Sequence, residues 1–342
     1  MAIRARISGL GKYLPERVLT NSEIERMVDT SDTWIQDRTG VRERRIAAGD
    51  ETTSTLSIGA ARQALEQAEI APEELDLIIV ATCTPDGMLP AVASLVQEGL
   101  GARRAAAFDI NAVCTGFLTG LATASQFIET GTYQRVLVVG AEVLSRIIDW
   151  TDRGTCVLFG DGAGAAVLEA SDRGRPMPFV LHSDGSGAQA LYAAGPCGPA
   201  GAADPGAYYV RMDGRHIFKF AVQAMEQAVR EAVEAAGLTV DDIDLLVPHQ
   251  ANLRIIQATA KALGLPPERA MVNVDRYGNT SAASVPMALQ EANEQGRLHD
   301  GDRVVLVAFG GGLVWGAMAL EWVPVGPVRA QTHPAHAATG GS

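Results

Sequence analysis

The sequence predicts an α/β protein built from two similar halves, and three observations carry that expectation. A single displacement of 168 residues lays "ALEQAEIAPEELDLIIVA" from Ala64 over "AVEAAGLTVDDIDLLVPH" from Ala232. The same displacement lays "RVLVVG" from Arg135 over "RVVLVA" from Arg303, and "NAVCTGFLTGLATA" from Asn111 over "NTSAASVPMALQEA" from Asn279. In each half, segments of helical period alternate with short apolar runs, the pattern of mostly parallel, mixed sheets covered by helices.

Taken in order, each half opens with an amphipathic helix, over about 55–69 and 218–236. An acidic turn and a buried strand follow, at 76–82 and 244–248. A loop then leads into a second helix, about 114–130 and 281–295, and into a Val/Leu-rich strand at 135–140 and 303–308. Both halves close on glycine-rich hairpins, "FGDGAGAAVLEA" and "FGGGLVWGAMALEW". The expected division is a first half over 1–175, a second over 176–326 and a disordered tail over 327–342, where no periodicity remains. Residues 185–207, rich in Gly, Ala and Pro, read as loop or lid. Two halves related by a pseudo-twofold axis would bring equivalent loops together at one centre.

Composition narrows the function. Forty acidic residues against 28 basic ones leave a formal charge of −12, which disfavours nucleic acid and anionic membrane surfaces as partners. The four cysteines, Cys83, Cys114, Cys156 and Cys197, have no metal-ligand or CxxC spacing, so free thiols in a reducing compartment are expected and no metal. "MAIRARISGLG" has no apolar signal core and no apolar run reaches membrane-spanning length, so the expected location is cytoplasmic.

Cys114 stands at the expected first turn of a helix, where unpaired N–H groups and the helix dipole favour a thiolate. Alone, it reads first as a small buried residue. His249, in "LLVPHQANLRI", ends a buried strand, where α/β proteins place catalytic groups. Asn279, in "DRYGNTSAASVP", begins the helix equivalent to the one that follows Cys114. Singly, each has a structural reading, as a core imidazole or a helix cap. Together, at corresponding loops of a duplicated fold, they form a Cys/His/Asn set suited to acyl transfer. "AFGGGLVWG" supplies backbone N–H groups near the same centre, the material of an oxyanion hole. The glycines of "FGDGAGAA" lead into a strand rather than a helix, which removes a dinucleotide reading.

"AVCTGF", "PHQANLRI", "YGNTSAASVP" and "AFGGG" resemble the β-ketoacyl-acyl-carrier-protein synthase III family of the thiolase superfamily. "NSEIERMVDTSDTWIQDRTGVRERRIA" and "DWTDRGTCVLFGDGAGAAVLEA" are also similar to it, and the resemblance runs from about Ile3 to Trp322. It implies a five-layered αβαβα fold, a homodimer and no cofactor beyond the CoA thioester substrate. It also implies condensation of an acyl-CoA primer with malonyl-acyl carrier protein at the start of fatty-acid synthesis. On this resemblance Cys114 is the acylated nucleophile, and His249 and Asn279 stabilise the enolate formed on decarboxylation. The N–H groups of Cys114 and Gly311 hold the oxyanion. Trp34 and Arg153 clamp the CoA adenine, Arg38 lies near its phosphates and Asn252 meets the pantetheine arm. Carrier-protein docking falls to Gln250, Ala251, Asn252, Leu253, Arg254, Lys219 and Lys261, with Arg254 and Lys261 on one helix face.

Two departures concern the primer. The family commonly carries an aromatic residue at the position of Leu89, reaching across the dimer into the acyl pocket. Leu313 likewise replaces an aromatic of the glycine segment. The competing readings are an acyltransferase of a secondary pathway that uses Cys114 without decarboxylation, and a catalytically silent carrier-binding dimer. A degradative thiolase would want a second cysteine in "GGGLVWG", which has none.

Overall fold

The structure is a computed structural model and describes residues 3–173, 177–195 and 205–326. The expected tail over 327–342 and Cys197 lie outside the described residues. In chain order come β1 (Arg4–Tyr13), β2 (Arg17–Thr20), α1 (Asn21–Ile24), α2 (Asp32–Thr39), β3 (Glu43–Ile46) and α3 (Thr53–Ala68). Next are β4 (Leu77–Ala81), α4 (Val92–Leu100), β5 (Ala106–Ile110), α5 (Gly116–Glu129), β6 (Arg135–Glu142) and β7 (Gly162–Ser171). Then follow β8 (Phe179–Ser183), β9 (Leu191–Tyr192), β10 (Arg211–Met212), α6 (Gly214–Ala235), β11 (Leu245–Pro248) and α7 (Leu253–Leu263). The last are α8 (Val274–Tyr277), α9 (Ser284–Glu294), β12 (Arg303–Gly310) and β13 (Val314–Glu321).

One sheet runs β1-β7-β6-β4-β5 and a second runs β8-β13-β12-β11. In both, a parallel pair (β4 with β6, β11 with β12) is followed by an antiparallel partner (β7, β13), although β4 is central and β11 lies at its sheet's edge. The fifth strand of the first sheet has only a trace in the second, a parallel bridge between Leu246 and Ala270. Segment 185–207, expected as loop, holds a 3-10 turn over Gly185–Ala190, and β9 pairs with β10 just beyond it.

The strand "LIIVA" of β4 is buried along its whole length because both of its faces are covered. Leu77 and Ile79 point to an inner layer shared with Leu118, Leu121, Leu289, Val304 and Leu306. Ile78 and Val80, one residue out of phase, pack on the opposite side with Leu56, Ala60 and Val96. On the second sheet Leu246, Val305 and Val307 do the same against Met225, Val229 and Ile255 of α6 and α7. Five layers result: α3 and α4, the first sheet, α5 with α9, the second sheet, and α6 with α7.

The central helices begin later than expected. Residues 113–115 and 281–283 are short 3-10 turns, and α5 and α9 start only at Gly116 and Ser284. Val113 (φ 46°) and Ser281 (φ 48°) occupy the left-handed region in both turns, which is costly for a β-branched valine. Two corresponding elbows with the same strained residue mark the duplication more sharply than the few identities between the halves.

Candidate active site

Three loops from different elements converge. Cys114 sits on the elbow after β5, His249 directly after β11, and Asn279 just after α8. All three line one cavity of about 120 Å³, with Phe159, Phe309 and Gly310 among its walls. From Cys114 a second cavity of about 330 Å³ extends past Cys83, Leu144, Ile147, Val210 and Gly311. The nucleophile candidate therefore stands where two chambers meet.

Gly310, at the end of β12, makes the approach of the elbow feasible. A Cβ there would lie 2.9 Å from the backbone nitrogen of Cys114 and 3.1 Å from its Cβ. The Cys114 sulfur faces its own N–H and the Ser281 hydroxyl. Burial nevertheless pushes the thiol up to about 12 from an ordinary 9.0. Burial thus opposes the thiolate that a helix N-terminus favours. Cys114 lies on a 3-10 turn ahead of α5, and desolvation outweighs what the helix terminus supplies.

His249 is 1 % exposed. Its backbone N–H donates to the carbonyl of Val307 at 2.7 Å, which fixes it to the end of the second sheet. Its Nδ1 lies 2.6 Å from Ser284 Oγ, and its ring meets Phe309 edge-on at 5.5 Å. Burial pushes the imidazole down to about 3, so it is neutral at neutral pH. Asn279 is pinned on both backbone sides, donating to the Leu158 carbonyl at 2.8 Å and accepting from the Gly160 N–H at 3.0 Å. Its Oδ1 accepts the Ser281 N–H at 2.9 Å, which leaves the amide NH₂ for the cavity.

Trp34 is a partner of two guanidinium groups, Arg153 at 5.0 Å from its ring centre and Arg38 at 6.0 Å. At that distance Arg153 covers the indole itself, and it also donates to the Asp29 carbonyl at 2.9 Å. An adenine between them requires the arginine to swing away. Asn252 caps α7 by accepting the Arg254 N–H, donates to the Arg38 carbonyl at 3.0 Å and borders the smaller cavity. Arg254, Lys219 and Lys261 are exposed, Leu253 is half-buried, and Arg254 lies over Phe218, the neighbour of Lys219.

Three further expectations are corrected. Gln250 is buried and cannot meet a docking partner. Its amide donates to the carbonyls of Pro248 and Met271 and accepts the N–H groups of Asn273 and Val274. Ala251 is buried too, in the core and on the wall of the smaller cavity. Leu313 packs into the core against Gly187 and is absent from both cavity walls, where Gly311 and Gly312 line the larger cavity and Gly310 the smaller. Leu89, by contrast, is expected to act across a dimer, and it is 88 % exposed and lines neither cavity of its own chain. Sequence reasoning missed Ser284, Phe309, Glu142 and Ser281. Ser281 and Glu142 carried a signal, as the partners of Val113 and Gly310 at the 168-residue displacement.

Among the described residues no cluster of three or more His, Cys, Asp or Glu could hold a metal ion. No described helix is long and apolar enough to cross a membrane. A buried thiol, a neutral imidazole and a free amide donor, held where two paired sheets share a helical layer, define a class: acyl-transferring condensing enzymes of the thiolase fold. Residues 108–185 match the family described as 3-oxoacyl-[acyl-carrier-protein (ACP)] synthase III, and residues 233–322 match its C-terminal counterpart. A β-ketoacyl-[acyl-carrier-protein] synthase III of Symbiobacterium thermophilum is 57 % identical over 322 residues, covering 92 % of this chain and 97 % of that one. The crystal structure of the same kind of enzyme from Thermus thermophilus is 52 % identical, covers 94 % of this chain and 100 % of that one, and has a TM-score of 0.88. A priming β-ketosynthase from the R1128 polyketide pathway reaches a TM-score of 0.88 at 39 % identity, over 95 % of this chain and 98 % of that one. This chain belongs to the β-ketoacyl-[acyl-carrier-protein] synthase III family.

Proposed function

We propose that the chain condenses an acyl-CoA primer with malonyl-acyl carrier protein, releasing CoA and CO₂ and giving the 3-oxoacyl-acyl carrier protein that starts fatty-acid synthesis. The observation that carries this reading is the convergence of Cys114, His249 and Asn279 on one cavity. Cys114 takes the acyl group as a thioester, and the larger chamber beyond it receives the acyl chain. Ser284 Oγ lies 3.4 Å from the Gln250 N–H, so its own proton is available for His249 Nδ1. The imidazole then carries its proton on Nε2. That N–H and the Asn279 amide are two neutral donors for the enolate oxygen of the malonyl thioester as CO₂ leaves. The carbanion attacks the acyl-enzyme carbonyl, whose oxyanion is received by the N–H groups of Cys114 and Gly311.

Trp34, Arg38, Arg153 and Asn252 form the CoA entry, and Arg254, Lys219 and Lys261 supply positive charge for an acidic carrier. The working unit is a homodimer in a cytoplasmic setting. Exposed Met88 and Leu89, and the outer position of β5 in its sheet, support a second copy at that edge. The test is intact-protein mass after mixing with acetyl-, butyryl-, isobutyryl- and octanoyl-CoA, for the native chain and Cys114→Ala. A thioester adduct on the native chain alone, discharged by malonyl-acyl carrier protein with release of CO₂, is the expected result. No adduct with any primer overturns the reading, and an adduct that discharges without CO₂ makes the chain a plain acyltransferase.

A further inference from the structure

Behind the larger cavity lies a carboxylate that none of these steps uses. Glu142, the last residue of β6, is fully buried. It accepts the Thr84 hydroxyl at 2.6 Å, the Thr82 hydroxyl at 3.1 Å and the Cys83 N–H at 3.1 Å, and the Cys83 thiol lies 3.3 Å away. These partners are neutral donors, which suit an anion and bring no compensating charge. The titratable groups that face it are the thiols of Cys83 and Cys114. Burial raises its pKa, which makes it a readier proton acceptor than an ordinary glutamate.

Between this carboxylate and Cys114 stands Ser281. Its hydroxyl is close to Glu142 and to both thiols. It is buried, borders the same cavity as Cys83 and Cys114, and makes no well-formed hydrogen bond in this structure. An unpartnered buried hydroxyl is costly unless it serves something. Its place is built rather than incidental. Asn279 Oδ1 holds its N–H, its φ of 48° turns it inward, and Gly140 lets the elbow settle on β6. A Cβ at Gly140 would come within 2.2 Å of the Ala282 carbonyl. At the 168-residue displacement Glu142 corresponds to Gly310, the residue that abuts Cys114. Each elbow thus rests on the strand end of the opposite half, one bare and one bearing a carboxylate.

We propose that Glu142, through the Ser281 hydroxyl, accepts the Cys114 proton during acylation and returns it after condensation. The inference rests on Cys114 being the acylated residue. In the first half, the sulfur of Cys114 bonds to the acyl carbon as the bond to CoA sulfur breaks. The thiol proton passes to Ser281 Oγ while the Ser281 proton passes to Glu142, and the CoA thiolate takes a proton from solvent as it departs. In the second half, loss of CO₂ from the malonyl carboxylate leaves an electron pair that forms the new carbon–carbon bond. Cys114 leaves as thiolate and is reprotonated by the same route, which restores the Glu142 anion. One solvent proton is consumed per turnover, as the overall condensation requires.

The experiment is single-turnover acylation of the full chain by acetyl-CoA, read by intact mass between pH 6 and 10, for native, Glu142→Gln, Ser281→Ala and Cys114→Ala proteins. Thermal midpoints are recorded alongside. At pH 7 the expected loss is at least about 100-fold for Glu142→Gln and at least about tenfold for Ser281→Ala. Both losses shrink about tenfold per pH unit as hydroxide takes over the deprotonation. Ser281→Ala leaves the hydrogen bonds of Glu142 to Thr82, Thr84 and Cys83 in place, so it decides the matter if Glu142→Gln does not fold. A folded Ser281→Ala acylated within threefold of the native rate overturns the proposal, as does a loss that is the same at every pH. An adduct that persists in Cys114→Ala, or none on the native chain, overturns the choice of nucleophile instead.

Discussion

At pH 8 an ordinary protein thiol with a pKa near 9 is about one-tenth ionised, whereas one held near 12 is ionised in about one molecule in ten thousand. Cys114 belongs to the second kind, because its burial pushes it up to about 12. The difference of three pH units predicts that iodoacetamide alkylates Cys114 in the substrate-free enzyme about 1,000-fold more slowly than the same residue in the unfolded chain. It is equivalent to about 4 kcal/mol. The assay is peptide-resolved mass spectrometry of the time course from pH 7 to 10.5, with the guanidinium-unfolded chain as reference. The native rate should climb about tenfold per pH unit across the whole range, with no plateau. A plateau with its inflection below pH 9 would show that the elbow's N–H groups outweigh desolvation, and would refute the argument.

Replacing Gln250 with Ala strips four buried hydrogen bonds and should cost about 2–4 kcal/mol in urea unfolding. Unchanged stability with a weakened carrier KM would instead make Gln250 a docking residue. Gly310→Ala places a methyl 2.9 Å from the Cys114 nitrogen, and acylation should fall by at least about 100-fold while the thermal midpoint drops only a few degrees. Full acylation by that variant would mean that the elbow is not held by contact with β12. His249 is depressed from 6.5 to about 3, so it stays neutral in the fold while the unfolded chain gains its proton below pH 6.5. Its contribution is therefore complete above pH 6.5 and is lost on acidification at about 1.4 kcal/mol per pH unit, down to about pH 3. Between pH 6.5 and 4.5 the native protein should lose about 2 kcal/mol more than His249→Gln. Equal losses would contradict the burial assigned to the ring.

The repeat made much of this fold legible. Apolar runs such as "LIIVA" and "LLVP" announce buried strands by composition alone, and one displacement aligns their helices and turns. Cys114, His249 and Asn279 stood out only as a set, because the repeat places them at corresponding loops while each has an ordinary structural reading on its own. What stayed hidden depends on three-dimensional encounter. Ser284 is an unremarkable helix residue until His249 is laid beside it, and Glu142 reads as the polar end of a strand until Ser281 is seen above it. Gln250 misled because its neighbours in "PHQANLRI" do face the cavity, and only the backbone path shows its amide turned inward. Leu313 misled for the same reason, since it follows the cavity-lining Gly311 and Gly312 without joining the wall itself.

The crossed seating of the two elbows bears on how such a protein could have arisen from a duplication. Because the strand end of one half braces the nucleophile loop of the other, neither copy could change its terminal residue without consequence for its sibling. Cys114 fits only because Gly310 lacks a side chain, whereas position 142 carries one, since Ala282 stands where a second nucleophile would be. Paralogous symmetry here became a division of labour. A chain cut between the sheets should therefore show no residual chemistry in either fragment, and reassembly of both fragments should restore it.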